Sequence, residues 1–562
     1  MKNKPLIILF VLFLVTAAFF LFTKLQRSDL TEEIETRLSK FEEGQSVQIE
    51  GKRFQTSDEL KSFYKNREFE EVWSKNGKIN STANDFLEEL ENVKYDGLNP
   101  EDYNLALIQE FFEDIKSQQK ILKPKSTPEL VDLDFLMTDA FFRLAKDLEL
   151  GKIGPESRGT YWKLEAKESN TDPLELLNSV AEGEDIEDAL ASLYPKLDMY
   201  SKGREVLKTL YETSERDTLN WKQVSFEQSL KVGDRNQSVP KLRERLQFWG
   251  FLDTYETEDE LLFDSTMWEG LKKYQIENGM KPDGAIGDLT AGFLNDSPEK
   301  LIDIASVNME RMRWLPEINW DEELVLVNIA NYQLDYLDKG DTTLSAKVIV
   351  GKEYNESPVF SAPMSYIVFS PYWNIPSSIT QDEILPSLKK NKAYLQEKNM
   401  EVVSNTGEVL DPNKVNWKEK DGEEFPFRIR QKPGGSNSLG LVKFMFPNDY
   451  NIYIHDTPAR SLFQRESRAL SHGCIRIQYP DQFAKSLLRD KKWTTEKISE
   501  AMHQENEEVV KLNREVPVLL LYLTFWTDDK GQGHFRPDIY NRDAELLKAL
   551  RSAPKAESIE RS

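Results

Sequence analysis

The hydrophobic rhythm of the chain changes from segment to segment. Leu6 to Thr23 is a run of 18 residues without a charge, entered past Lys2 and Lys4 and closed by Lys24 and Arg27. Wound as a helix, such a run just covers the ~30 Å of a hydrocarbon core. Thr16-Ala17-Ala18 is followed by more large apolar residues and no clear small-x-small cleavage pattern. Residues 1–27 therefore read as an uncleaved membrane anchor, with a cleaved signal peptide as the alternative. Residues 28–59 are charged and polar, and Thr31-Glu32-Glu33-Ile34-Glu35 shows no sustained apolar face, so they read as a stalk or tether with some helix. From 60 to 223 the period is helical: Phe86-Leu87-Glu88-Glu89-Leu90 places apolar residues three and four apart, and Leu133, Leu136, Phe141, Leu144 and Leu148 continue near that spacing. A shorter unit over 225–298 sets Leu242, Leu246 and Leu271 at helical spacing between turn glycines.

Between 300 and 545 the rhythm becomes that of strands. Leu324-Val325-Leu326-Val327, Ala346-Lys347-Val348-Ile349-Val350, Tyr366-Ile367-Val368-Phe369 and Val518-Leu519-Leu520-Leu521 are short β-branched or aromatic runs. They predict a β-sandwich. A charged stretch over about 377–432 interrupts it and is too long for an ordinary sheet connection, so it reads as a lid insertion. Residues 546–562 read as a flexible tail. The fold class is therefore α+β and multidomain, in keeping with 562 residues and a soft prior of ~150 residues per domain. With 97 acidic against 73 basic residues the formal net charge is −24, which argues against a nucleic-acid partner.

One residue changes the picture more than composition does. Cys474 is the only cysteine, so it is either buried filler or a nucleophile, since a lone thiol makes no intramolecular disulfide. It lies in Ser471-His472-Gly473-Cys474-Ile475-Arg476, and His455 lies upstream in Tyr453-Ile454-His455-Asp456; two of the four histidines are thus beside it. A thiol with a pKa of about 8.5 needs a base or a positive neighbourhood to react near neutral pH. Both are on offer, so the nucleophile is favoured.

Those residues resemble the L,D-transpeptidases with a YkuD-type catalytic domain, whose signature is His, a gap, then Ser/Thr-His-Gly-Cys. Fifteen residues separate His455 from Ser471. The resemblance continues through Tyr372-Trp373-Asn374-Ile375-Pro376, Pro433-Gly434-Gly435-Ser436-Asn437-Ser438-Leu439-Gly440, Lys443-Phe444-Met445-Phe446-Pro447-Asn448 and His455-Asp456-Thr457-Pro458. Many members carry Asn where this chain has Arg476, a replacement shared by the large envelope members. Phe63-Tyr64, Val72-Trp73 and Tyr95-Asp96-Gly97-Leu98 resemble the scaffold domain of those members. Leu230-Lys231-Val232-Gly233-Asp234, Tyr274-Gln275 and Asp283-Gly284 resemble the three-helix peptidoglycan-binding domain.

What the resemblance implies is a cysteine acyltransferase acting on peptidoglycan stem peptides, with a tetrapeptide donor, an amine acceptor and a 3→3 cross-link as product. Cys474 is the nucleophile and His455 its base, while His472 orients. Backbone amides near Gly473 and Cys474 face the developing oxyanion, and Ser471 orients a histidine. Arg476, Tyr453 and Trp373 line the substrate cleft, though Arg476 in an internal ion pair weighs equally. No metal or organic cofactor is needed, and carbapenems are expected inhibitors. The catalytic domain is placed on the periplasmic side of the cytoplasmic membrane, held by the N-terminal helix. Hydrolysis of the same thioester, transfer to a protein amine, a sortase-type acyltransferase and a non-catalytic wall-binding scaffold remain alternatives. His503 and His534 are assigned no catalysis.

Overall fold

The computed structural model describes residues 29–40, 47–120, 127–225, 230–415, 417, 427–489 and 492–552. The anchor expected over 1–27 lies outside them; among the described residues no helix is long and apolar enough to cross a membrane.

The first described helix, α1 (Asp29–Leu38), corrects the expected stalk. Leu30, Ile34 and Leu38 are buried, and α1 packs against α2 (Thr127–Leu150), with Arg37 paired to Asp132. Three residues at i, i+4 and i+8 are stripe enough when a large partner helix covers them. Along α2 the buried carboxylate of Asp134 accepts from Tyr64 Oη (2.5 Å), Trp73 N (2.9 Å) and Val72 N (3.1 Å), and burial pushes it up to about 6. Trp73 stacks on Phe86 at 4.9 Å. The aromatics of this α unit are thus core residues.

Helices Val239–Phe248, Ser265–Glu277 and Asp288–Leu294 form the expected three-helix unit. Beyond it, α3 (Asp198–Glu215) packs on α4 (Pro298–Arg313). Glu310, Arg311 and Arg313 of α4 are fully buried. Arg313 pairs with Glu310 at 2.5 Å and donates to Tyr200 Oη (3.0 Å) and the Asp96 carbonyl (2.7 Å). Arg311 pairs with Asp543 at 2.6 Å. That aspartate opens α5 (Asp543–Arg551), whose Leu546 and Leu550 are buried, so the expected tail is helical through Arg551. Apolar residues four apart close a short helix once α4 offers a surface.

The β-rich unit is built on β1 (Leu324–Asn328), β2 (Gln333–Asp338), β3 (Asp341–Gly351), β4 (Phe360–Phe369), β5 (Val442–Met445), β6 (Ile454–His455), β7 (Ile475–Ile477) and β8 (Glu508–Leu521). Here the sandwich expectation is corrected, because both layers belong to one sheet. β3 carries β2 on one edge and β7 on the other: Val348 N–H donates to the Tyr332 carbonyl and Gln478 N–H to the Lys347 carbonyl. The order β3-β7-β6-β5-β4-β8-β1-β2 therefore returns to β3. At 11 residues β3 is long enough to serve both neighbours, and closure removes free edges. The short strand Ala469–Ser471 runs parallel to the end of β3.

The insertion is a small subdomain with its own core of Ile375, Ile384, Leu388, Leu395, Val402 and Ile429. Four strands, Val409–Leu410, Met400–Ser404, Phe427–Gln431 and Trp373–Asn374, pair in that order beside short helices over 377–397. Its neck is pinned from the chain that follows. Buried Asn437 donates to the carbonyls of Pro371 (3.0 Å) and Lys432 (2.9 Å), which explains part of the Pro433–Gly440 motif.

Candidate active site

β6 and β7 lie side by side in parallel, with Ile454 opposite Ile475 and His455 opposite Arg476. Side chains alternate along strands, so both isoleucines enter the core. Tyr453, His455, Cys474 and Arg476 are left to share the other face. Lys443 of β5, opposite His455, joins them. A polar cluster thus follows from register alone.

His455 is buried, and its Nδ1 lies 2.5 Å from the Asp456 carbonyl, which fixes the proton on Nδ1 and leaves Nε2 as the basic nitrogen. Burial first, then the cations of Arg476 and Lys443, push its pKa down to about 3. The ring is therefore neutral at physiological pH. The Asp456 carboxylate anchors this strand end, accepting from Thr457 N (2.6 Å) and Leu441 N (2.9 Å) and pairing with Arg460 (2.7 Å). A Cβ on Gly440 would meet that carboxylate at 2.3 Å, so glycine is required there.

The Cys474 thiol is half-buried. Its Sγ lies 3.7 Å from the Asn451 carbonyl, and the Tyr453 backbone N–H and phenol both donate to it as thiolate. Burial pushes the thiol up from its ordinary value, while those donors and Arg476 pull the other way. The turn that presents it requires glycine, since Gly473 has φ +113°. Ser471, expected to orient a histidine, instead ties the turn to itself: its hydroxyl donates to the Cys474 carbonyl (2.7 Å) and accepts from Gly473 N–H (3.1 Å). Gly473 N–H is thereby occupied and drops out as an oxyanion donor. The Cys474 amide makes no protein hydrogen bond among the described residues and is the donor that remains.

Arg476 is half-buried with its Nε unpartnered, and no ion pair engages it among the described residues. The internal ion pair is therefore not what holds it. Trp373 hydrogen-bonds Tyr453, whose ring lies 5.7 Å from that of His455. His472 points away from the core and its Nε2 meets Glu383 Oε1 of the insertion at 3.0 Å. The insertion thus touches the site twice. His503 and His534 stand elsewhere, hydrogen-bonded to Ser499 and Asp528. Asp456 and Lys443 belong to the quoted motifs, where the sequence gives them no role; register with His455 supplies one.

A closed β-sheet here presents a cysteine on a glycine turn beside a buried, neutral histidine. Residues 322–497 match the model of the YkuD L,D-transpeptidase catalytic domain, and residues 58–207 match that of the scaffold domain. A Haemophilus influenzae protein, whose name marks it provisionally as an L,D-transpeptidase, is 36% identical over 241 residues, 43% of this chain. The match spans 48% of that relative, about half its length. Among solved structures, an L,D-transpeptidase fragment from Xylanimonas cellulosilytica is 12% identical, covers 53% of this chain and 100% of its own, and has a TM-score of 0.15. One from Stackebrandtia nassauensis is 13% identical, covers 53% and 97%, and has a TM-score of 0.21. Superpositions that loose carry no structural argument.

Proposed function

We propose that the protein is a peptidoglycan L,D-transpeptidase that forms 3→3 cross-links through a Cys474 thioester. The observation that carries this reading is the common face of Tyr453, His455, Cys474 and Arg476. His455 Nε2 takes the thiol proton as Sγ attacks the carbonyl carbon of the donor's third residue. The C–N bond breaks, the proton passes to the departing D-Ala amine, and a thioester remains. The acceptor amine then attacks the thioester, gives its proton to His455, and expels the thiolate, which recovers that proton. The Cys474 amide stabilises the oxyanion in both steps. Arg476 and Lys443, neither of them in an ion pair among the described residues although Glu507 lies near enough to Lys443 to act on it, attract a stem-peptide carboxylate into the cleft.

The three-helix unit over 225–298 would hold glycan strands near the cleft. The Leu6–Thr23 run would anchor the chain in the cytoplasmic membrane with the catalytic unit outside. Incubation of the full chain with disaccharide-tetrapeptides, followed by muropeptide chromatography, should yield cross-linked dimer from wild type and none from Cys474→Ala. A carbapenem should add its mass to wild type only. Dimer formed by Cys474→Ala, or an adduct on it, refutes the assignment; tripeptide without dimer would mark a carboxypeptidase instead.

A further inference from the structure

Ser357 lies in the loop between β3 and β4, is fully buried, and has no place in the reaction as written. Its hydroxyl donates to the Gly473 carbonyl (2.7 Å) and accepts from Gly351 N–H (3.1 Å). Tyr540 supports it from the far end of the chain, accepting from Ser357 N–H (3.4 Å) while its phenol donates to the Gly351 carbonyl (2.6 Å). Arg542 adds a bond to the Ser357 carbonyl (3.3 Å), pairs with Glu356 (2.5 Å), and lies over the rings of Tyr161 (3.9 Å), Tyr522 (4.5 Å) and Tyr540 (4.6 Å). Two residues on, Val359 N–H donates to the Tyr161 carbonyl (2.9 Å) and Lys163 N–H to the Val359 carbonyl (2.8 Å). The α unit and the C-terminal segment, both outside residues 322–497, thus grip the loop that grips the nucleophile turn.

The peptide between Gly473 and Cys474 is trans, so its carbonyl and its N–H point in opposite directions. Drawing the Gly473 carbonyl inward onto Ser357 turns the Cys474 N–H outward to the cleft. The turn needs this restraint, because glycine at φ +113° sets no rotation barrier of its own against the alternatives. We propose that Ser357, seated by Tyr540, is a positioning residue that aims the Cys474 amide at the oxyanion formed during acyl transfer. The inference rests on the acyl-transfer reading above and deepens it.

Two electrophiles separate positioning from general integrity. A carbapenem acylates the thiol through a tetrahedral oxyanion and needs the aimed amide; iodoacetamide alkylates it by displacement and needs only the thiolate. In the full chain, Ser357→Ala should slow carbapenem acylation of Cys474 about tenfold to a hundredfold while iodoacetamide alkylation stays within about twofold. Ser357→Thr, which keeps the hydroxyl, should recover most of the acylation, and Tyr540→Phe should show the same split at smaller amplitude. Equal slowing of both reagents, or no slowing of either, overturns the brace. Failure of wild type itself to acylate overturns the acyl-transfer reading, and the proposal with it.

Discussion

Two buried arginine sites in this chain are built oppositely. At the joint on α4, Arg313 is fully enclosed and faces the Glu310 carboxylate, Tyr200 and the Asp96 carbonyl. In the cleft, Arg476 is half-buried and no carboxylate pairs with it among the described residues, whereas an unpartnered Nε is common to both arginines. A buried cation is costly unless its charge is met. The joint meets that cost internally, and its charges serve assembly. The cleft leaves it unmet, and on the proposed function the stem-peptide carboxylate would meet it.

Removing the partnered arginine should have the larger consequence. Arg313→Met takes the paired cation from buried Glu310, which keeps only the N–H donors of Ile153 and Trp314 and the more distant Arg158, and should destabilise the chain by about 3–5 kcal/mol, read as a lowered midpoint in denaturant. A loss below about 1 kcal/mol would mean that the joint's ion pair is dispensable and the contrast with the cleft is empty. Arg476→Met should leave that midpoint nearly unchanged. Its effect should appear as a fall of about tenfold to a hundredfold in kcat/KM for a tetrapeptide donor, ~1.4–2.7 kcal/mol of transition-state binding.

The unmatched cations also sharpen the comparison through pH. His455 has a folded pKa of about 3, below the unfolded value near 6.5. The unfolded chain therefore binds the extra proton between those values. The stability contributed is fully present above about 6.5 and is lost as pH falls toward 3. Acylation of Cys474 should accordingly show no inflection near 6.5 and should keep rising on the alkaline side, since the thiol is raised. Arg476→Met should move the acid inflection upward by removing one of the cations that depress His455. An inflection that stays put would separate Arg476 from His455. The smallest effect is expected at the rim, where Glu383 and His472 meet at 3.0 Å but both are largely exposed. Glu383→Gln should change the ratio of hydrolysed tripeptide to dimer by no more than about threefold, with acylation unaltered; a larger shift would give the insertion a stronger hold on the thioester than this contact implies.

The candidate turn was legible in the sequence because each of its motifs, Ser471 to Arg476 and Tyr453 to His455, is local, although the parts played by Ser471 and Gly473 within it were not. Its brace was not, since Ser357 reaches Gly473 across 116 residues and Tyr540 reaches Ser357 across 183. Hydrogen bonds of that span leave no periodic trace. The closed sheet was misread for a different reason. Leu344, Ala346, Val348 and Val350 alternate inward along β3 just as they would in a sandwich, and only the pairing on both edges distinguishes the two. The docking of the helix at Asp29–Leu38 was hidden by the charges between Leu30, Ile34 and Leu38, and its covering partner lies about a hundred residues on.

The grip of Tyr540 and Arg542 on the loop behind Gly473 also has a consequence in time. A chain is synthesised from its N-terminus, so Cys474 leaves the ribosome well before the segment that squares its amide. On the proposed brace, a nascent chain would hold the Cys474 thiol without its aimed amide until the segment through Arg542 had emerged and docked between Tyr161 and Tyr522.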